Sequence, residues 1–527
     1  MKQRRNSLPL RILCIAMAIG ILSFALCVFI TKLSYDKKAA QIEANDEQLS
    51  QNSAYAQYIP QVKSLIVQEM RKAGLPGYAI AIVQGNETVY QSGFGYADVG
   101  TRRKVTAQTL FQLASNSKAF TGLGLLCLQK EGLVDLNAPV TDYLPWLTMN
   151  YQGKPAAVKV SDFMHHVSGI SPSTISKIPA DDKPGAIERT VRTLIGAELV
   201  SAPGQKYQYA TINYDVLGLL IEKLSGMTYE EYIAQNVLSP MGLTDTHMAR
   251  DYSPDALATG YKLSFGTPSV YEAPIYDGNK PAGYIVSHVN DLARWLKIQM
   301  GTEPTSTFDN ALIEASRLPN TSVEPMAEGF YYATGWRIST GTPTEIAHSG
   351  SNPNYSSNLA FLPEQGLGVV VLCNSNSYNT SILAMKIMDI LAQRENTAPA
   401  IDDLYQTIDL YCSIAVAVLL ILCCMLLYSL FRVIQDIYNH KRTLKIDAKA
   451  AVKAVVACAT LAAFIALLLM VPSLVFQGST WGFVFVWYPN TVEILVFTLL
   501  SALILAFLAV NLRVLFRRTG IRTEKRI

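Results

Sequence analysis

Ser115-Asn116-Ser117-Lys118 places a hydroxyl and an amine three residues apart, immediately before the apolar run Ala119 to Leu128. On a helix that spacing puts both side chains on one face, about one turn apart. A helix N-terminus there adds backbone N–H groups and the positive end of the dipole. A lysine taken out of water loses affinity for its proton, so it can accept the proton of a neighbouring serine. The chemistry open to such a pair is acyl transfer through a serine ester. A second copy of the pattern, Ser34-Tyr35-Asp36-Lys37, sits in a charged stretch beside an apolar span and reads as incidental.

Two further segments complete a constellation. Tyr207-Gln208-Tyr209-Ala210-Thr211-Ile212-Asn213 follows downstream, with Tyr214-Asp215-Val216-Leu217-Gly218 behind it, and Ala347-His348-Ser349-Gly350 lies near the end of the same region. A phenol two residues ahead of a polar side chain can relay a proton to a leaving amine. SxxK, YxN (or YxS) and KTG or HxG, in that order, are the three motifs of the class C β-lactamase and DD-peptidase family. This chain resembles that family over about residues 60–395. The blocks Asp162-Phe163-Met164-His165-His166-Val167-Ser168-Gly169 and Gly366 to Asn374 add to the likeness. So do Asn150 to Ala156, Asn352-Pro353-Asn354-Tyr355-Ser356-Ser357 and the aromatic run Trp481 to Trp487. These last segments are similar to the membrane-bound prodrug-activating peptidases of the family, the group that matures colibactin by removing an N-acyl-D-asparagine cap during export.

The resemblance implies roles residue by residue. Ser115 would be the nucleophile, Lys118 the general base and Tyr209 the proton relay. The N–H groups of Ser115 and Ser351 would form the oxyanion hole beside His348 and Gly350; such donors are worth ~3 kcal/mol each in the transition state. Thr211, Asn279 and Asn352 occupy the positions that bind the D-asparagine unit in those peptidases. Thr211 departs from the expected serine and Asn279 from an expected histidine. No metal or other cofactor is expected, because the six histidines show no ligand spacing. His165 and His166 adjoin a Ser-Gly turn and read as structural.

The elements that must position these residues are partly legible. A helix is expected over Val62 to Ala73, stopped at Gly74-Leu75-Pro76-Gly77. Tyr78 to Val83 and Thr88 to Gly95 read as strands around Gly85-Asn86, and Ser357 to Leu362 with Gly368 to Cys373 as a late hairpin. Strands at both ends of the domain with helices between them predict an α/β (α+β) fold. It would have an antiparallel sheet flanked by helices and a helical lobe.

The chain is too apolar for an ordinary soluble enzyme, with a mean hydropathy of +0.21. The excess lies in Ile12 to Thr31 and in three spans near Leu410 to Phe431, Val452 to Phe476 and Thr491 to Leu512. Each approaches or exceeds the ~20 residues that cross a bilayer as a helix. The expected organisation is a signal anchor or signal peptide (1–38), a linker (39–57), a hydrolase domain (58–400), three membrane helices (409–513) and a basic tail (514–527). Residues 1–38 and 409–527 hold 19 Lys and Arg against 6 Asp and Glu, whereas residues 39–408 hold 25 against 35. Arg432, Lys441, Arg442, Lys445, Lys449 and Lys453 fill one loop, and the tail is also basic. The basic segments therefore face the cytoplasm, which puts the C-terminus inside and the hydrolase domain outside the cell membrane. Nothing in the charge pattern calls for nucleic acid. Cys127 and Cys373, the two cysteines of the outer domain, read as buried free thiols.

The expected function is a membrane-anchored serine peptidase. It would remove an N-acyl-D-amino acid, D-asparagine first, from an exported nonribosomal peptide or polyketide prodrug. Its partners would be a small-molecule or peptide-like substrate and the membrane, with an exporter of the prodrug and a second copy of the chain as candidates. A β-lactamase, a D-alanyl-D-alanine carboxypeptidase or an esterase at the cell wall is the alternative within the enzyme class. A catalytically silent binding protein is the alternative outside it.

Overall fold

The computed structural model describes residues 20, 26, 28–35, 37, 42–248, 250–305, 307–326, 329–395, 398–399, 403–476 and 478–519. Most of the expected first span, Ile12 to Thr31, and the tail beyond residue 519 lie outside the described residues. The chain divides into two compact units, one of residues 38–262 with 268–404, the other of 1–37, 263–267 and 405–527.

The first unit opens with strand β1 (Ala44–Leu49) and helix α1 (Ile59–Ala73). The helix starts earlier than its apolar spacing suggests, because Pro60 is tolerated in a first turn, where its missing N–H has no partner to lose. It stops at Gly74, whose φ of 65° is a left-handed cap. Strands β2 (Gly77–Gln84) and β3 (Glu87–Asp98) follow as a hairpin. Helix α2 (Ser117–Lys130) carries the SxxK lysine, and helix α3 (Ile212–Ser225) follows the Tyr209 motif. A single turn, α4 (Lys280–Gly283), precedes helix α5 (Val289–Met300). The chain returns to the sheet as β4 (Phe330–Tyr332), β5 (Arg337–Ser339), β6 (Ile346–Asn352), β7 (Tyr355–Leu362) and β8 (Leu367–Cys373), and then forms helix α6 (Asn379–Leu391).

These strands make one antiparallel sheet in the order β1-β3-β2-β8-β7-β6-β5-β4, with the short strand Arg103–Lys104 joined to β3. Both ends of the unit's chain meet at the centre, where β8 pairs with β2 from Leu367↔Gln84 to Cys373↔Tyr78. Every residue of β8 is buried, so both faces of the sheet are covered. Gly368 faces α5, since a methyl group there would lie 3.0 Å from Leu296. Cys373, five residues on and therefore on the opposite face, is hydrogen-bonded to Thr380 of α6. The thiols of Cys127 and Cys373 are free and buried.

Helix α2 is buried from Ser117 to Leu128, all round its circumference. Such a helix belongs in a core rather than on a surface. Phe120 stacks on Trp295 of α5 at 4.2 Å between ring centroids. The result is a rigid platform under Lys118.

The second unit contains helices α7 (Leu404–Tyr438), α8 (Ala448–Val475) and α9 (Asn490–Leu515). All three are long and apolar enough to cross a membrane. At about 1.5 Å per residue even α9 exceeds the ~30 Å hydrocarbon core. Large apolar side chains such as Leu410, Val418, Leu469 and Phe497 are exposed along them, as lipid-facing positions would be. The chain from α7 to α8 and the end of α9 join as a two-stranded ribbon, Arg442–Leu444 with Phe516–Arg518. The aromatic run between α8 and α9 forms a short helix, Trp481–Trp487. Thr480 explains it, because its hydroxyl accepts from the Phe483 N–H at 3.2 Å and caps the turn. Asp409 of α7 accepts from Thr491 of α9 at 2.7 Å and from the N–H groups of Phe265 and Gly266 at 3.2 and 2.6 Å.

Candidate active site

Ser115 sits on a 3-10 turn, Ala114–Asn116, that runs directly into α2. Ala114 has a φ of 48°, a left-handed conformation that disfavours any side chain and must be held by its surroundings. Three contacts hold it. Asn116 Nδ2 donates to Ser357 Oγ at 2.8 Å, and that hydroxyl donates to the Leu113 carbonyl at 2.5 Å. The Leu113 N–H donates to the Ile285 carbonyl at 2.8 Å. The Ile285 N–H in turn reaches Ser117 Oγ at 3.1 Å. The turn is thereby strapped to β7 on one side and to the segment after α4 on the other.

Lys118 is completely buried. Its amine donates to Ser115 Oγ at 3.1 Å, to Thr211 Oγ1 at 3.1 Å and to the Ala282 carbonyl at 2.7 Å. Burial pulls its pKa down to about 7, opposed by the nearby carboxyl of Asp215. Tyr209 shares a hydrogen bond with Ser115, and burial pushes its phenol up to about 12. The ammonium lies 5.2 Å from the centre of the Tyr209 ring and 5.7 Å from that of Tyr214. At neutral pH an amine near 7 is about half deprotonated, whereas a phenol near 12 is ionised in about one molecule in 10⁵. At neutral pH the amine at position 118 can therefore accept a proton, while the phenol at position 209 keeps its own.

Tyr209 is packed against His166, with ring centroids 4.2 Å apart. His166 is fully buried, and its Nδ1 accepts from the Ala210 N–H at 3.3 Å and from Asn213 Nδ2 at 2.9 Å. Ser168 Oγ completes the set by donating to Asn213 Oδ1 at 2.9 Å. Burial holds the His166 imidazole well below its ordinary pKa, so it is neutral. The His166-Val167-Ser168 turn thus braces the Tyr209 motif through Asn213.

Strand β6 closes the other side. A methyl group on Gly350 would lie 2.3 Å from the Leu113 carbonyl oxygen and from Ser357 Oγ, so only glycine lets the strand approach the turn. Strand β5 pairs with β6 only at Arg337↔Ala347 and Ile338↔Ile346. The stretch from His348 to Asn352, including Ser351, therefore has a free edge beside the turn that carries Ser115. His348 Nδ1 faces the Ser349 carbonyl at 2.7 Å and so carries the proton, which leaves Nε2 to accept from Tyr332 at 3.0 Å. Burial, then the charges of Arg337 and Lys118, hold His348 well below its ordinary pKa and neutral. Ser351 Oγ donates to Asn376 Oδ1 at 2.9 Å.

Of the three residues expected to bind substrate, Thr211 and Asn352 lie against this centre. Thr211 accepts from Lys118, and Asn352 Nδ2 donates to Gln112 Oε1 and to the Gly283 carbonyl, both at 2.8 Å. The side-chain amide of Asn279 lies against the Asp215 carboxyl group instead, one of its terminal atoms within 3.0 and 2.9 Å of the two oxygens. Ser34 and Lys37, from the second SxxK pattern, are both exposed. Sequence reasoning passed over Gln112, Tyr332, Arg337 and the Ala282 carbonyl, and it read His166 as structural, in keeping with its bracing contacts. Gln112 stands three residues before Ser115, whereas a backbone carbonyl has no residue signature.

Among the described residues one group of histidine and acidic side chains is tight enough to hold a metal, namely Asp245, His288 and Asp291. Two of its three side chains already accept hydrogen bonds. His288 Nδ1 accepts from the Asp291 N–H at 3.2 Å, so a neutral ring carries its proton on Nε2 and offers no lone pair there. Asp291 Oδ2 accepts from the Asp245 N–H at 2.9 Å and from Thr246 at 2.8 Å. The cluster caps α5.

Comparison with known proteins places this architecture. The chain matches the Beta-lactamase family over residues 62–391. It is 28% identical over 445 residues to "Protein flp" of Staphylococcus aureus (strain COL), covering 84% of this chain and 88% of that protein. That stretch is longer than the family match, so the likeness extends outside the hydrolase segment. It is 26% identical over 336 residues to "Penicillin-binding protein 4*" of Bacillus subtilis (strain 168), covering 58% of this chain and 70% of that one. Among solved structures, the octameric penicillin-binding protein homologue from Pyrococcus abyssi superposes with a TM-score of 0.58 at 28% identity, over 64% of this chain and 78% of that one. A class C β-lactamase shares the fold at a TM-score of 0.56 and 20% identity, over 66% of this chain and 99% of that one. With its buried SxxK amine, its tyrosine and its closing HxG strand, this chain belongs to the Beta-lactamase family and is a serine hydrolase of the penicillin-binding-protein type.

Proposed function

We propose that this protein is a membrane-held serine peptidase that cleaves the amide after an N-acyl-D-amino acid, with D-asparagine the first substrate, and so unmasks an exported prodrug. Ser115 attacks the scissile carbonyl while Lys118 takes its proton. Tyr209, still protonated, passes a proton to the leaving amine. The N–H groups of Ser115 and Ser351 receive the negative charge that develops on the carbonyl oxygen. Water then cleaves the Ser115 ester with Lys118 again as base.

The observation that carries the side-chain preference is the orientation of Asn352. Its amide nitrogen is held by Gln112 and the Gly283 carbonyl. Its Oδ1 accepts no hydrogen bond among the described residues and is left for a donor. An acceptor there favours the NH₂ of an asparagine side chain over the carboxylate of an aspartate, which would be repelled. A site built to bond a side-chain amide rejects substrates lacking it by large factors, since its own groups are left unpaired. Gln112 also borders a recess of about 350 Å³ whose walls include Tyr252, Tyr271, Tyr276, Tyr284 and Tyr355. That aromatic lining suits the apolar part of a large substrate. The basic ribbon at one end of the membrane helices supports a cytoplasmic C-terminus and an outward-facing hydrolase unit.

A second reading is a cell-wall D-alanyl-D-alanine carboxypeptidase, and Arg337 favours it. Its charge reaches Tyr209 and His348, and its Nε is buried without a partner among the described residues. A guanidinium so placed suits a substrate's C-terminal carboxylate. Mass spectrometry of the purified full-length protein separates the two. It would be incubated with an N-myristoyl-D-asparagine amide, its L isomer, a peptide ending in D-Ala-D-Ala and a chromogenic cephalosporin. Release of the amine from the D isomer alone is the expected result. Turnover of the D-Ala-D-Ala peptide or the cephalosporin, with no D-asparaginyl amide cleaved, would move the assignment to the cell wall.

A further inference from the structure

Asp215 is a fully buried acidic residue on the apolar face of α3, one turn beyond Thr211. Its spacing places it beside the hydroxyl that accepts from Lys118. The side-chain amide of Asn279 presents one terminal atom 3.0 and 2.9 Å from the two Asp215 oxygens, and that atom is assigned as the nitrogen because an ionised carboxylate offers only acceptors. Asn279 is the residue that leads into α4, the turn whose Ala282 carbonyl accepts from Lys118 at 2.7 Å. Both protein acceptors of the lysine amine other than Ser115 therefore sit on elements that the Asp215–Asn279 contact ties together. The packing agrees. A methyl group on Gly218 of α3 would lie 2.2 Å from the Pro281 side chain, and Thr121 of α2 donates to the Pro281 carbonyl at 2.5 Å.

We propose that Asp215 and Asn279 form a buried carboxylate–amide clasp that positions the Lys118 amine and serves as the counter-charge of its protonated form. Neither residue touches the reacting atoms, so both are positioning residues. The inference rests on Lys118 acting as the base for Ser115. The groups facing this lysine are Ser115 on its own turn, Tyr209, Thr211 and Tyr214 ahead of and on α3, and His166 and His348 from the flanking turn and strand. Those facing Asp215 are Lys118, Asn279, Tyr229 and Tyr284. Both histidines are held neutral and the four tyrosines keep their protons at neutral pH, all through burial. Burial pushes the Asp215 carboxyl well above its ordinary pKa and the Lys118 charge pulls it back, so Asp215 supplies negative charge as the partner of protonated Lys118.

The test is the pH profile of fluorophosphonate labelling of Ser115 in the full-length protein, for the parent, Asp215→Asn, the exchanged pair Asp215→Asn with Asn279→Asp, and Lys118→Ala. Asp215→Asn removes the anion that favours protonated Lys118, so the acid limb of the profile moves to lower pH by about one unit, the scale of a close buried charge. The exchanged pair restores a carboxylate–amide contact and brings the limb back toward the parent. A uniform loss of labelling with the limb unmoved in Asp215→Asn would reduce the clasp to packing and overturn the proposal. If Asp215→Asn does not fold, the exchanged pair decides: no recovery of labelling in a folded exchanged protein likewise overturns it. Parental labelling in Lys118→Ala would instead overturn the assignment of the base.

Discussion

At the scale of single residues, the site is a contest between two proton acceptors, and burial decides it. Desolvation acts on both Lys118 and Tyr209, but it disfavours the charged form of each, so it makes the amine a free base and keeps the phenol a phenol. The pH dependence follows with a definite sign. Below about 7 the Lys118 amine is protonated and cannot take the serine proton, so fluorophosphonate labelling should rise with pH through a midpoint near 7. Tyr209, pushed up to about 12, should add no alkaline fall below about pH 11. Ser115→Ala should abolish labelling and hydrolysis without unfolding the protein, while Ser34→Ala should change neither; equal labelling of Ser115→Ala and parent would refute the nucleophile. Asn352→Ala should reduce cleavage of a D-asparaginyl amide far more than turnover of an unrelated activated ester. Equal losses on the two substrates would show that Asn352 supports the fold rather than selecting the side chain.

At the scale of elements, the nucleophile turn is held in an unfavourable backbone conformation by neighbours on both sides, and β6 is the most closely packed of them. Gly350→Ala puts a methyl group 2.3 Å from a backbone oxygen, which cannot rotate away. The strand must shift, and a misplacement of about 1 Å at a reacting centre can cost ~10²-fold in rate. Labelling should therefore slow by about that factor while the thermal midpoint falls only a few degrees. An alanine variant with parental labelling would mean that β6 can retreat without consequence for Ser115. The turn His166-Val167-Ser168 has the same bracing role for Tyr209, through Asn213 rather than through a close approach.

At the scale of the whole molecule, three apolar helices and an enzymatic unit share one chain, and charge asymmetry is the ground for the proposed orientation. The basic ribbon Arg442–Leu444 with Phe516–Arg518 gathers positive charge at one end of the helices, and Trp481–Trp487 marks another. Aromatic side chains favour the interface and lysine or arginine the cytoplasmic side. Protease added to intact spheroplasts should digest the hydrolase unit and spare a tag at the C-terminus. Loss of the tag under those conditions, with the cytoplasm still sealed, would reverse the topology.

Much of this was readable in the amino-acid sequence, for a physical reason. The strands Gly77–Gln84 and Leu367–Cys373 and the helix Ile59–Ala73 are within a few residues of their expected bounds, because apolar runs, Gly-Pro stops and turn residues act locally. The three motifs could be ordered because each carries its own reactive side chain, and the membrane helices because apolar length and flanking charge are properties of the chain itself. Only the tertiary structure decided what surrounds Lys118. Its depressed pKa needs burial by α3 and α4, its third hydrogen bond goes to a backbone carbonyl, and Asp215 meets Asn279 across elements distant in sequence. A lone aspartate in an apolar helix gives no sign of its partner, and an asparagine in a loop reads equally well as a substrate contact. Which of the two it is depends on the direction its amide points, and that is set by packing between elements rather than by any local pattern.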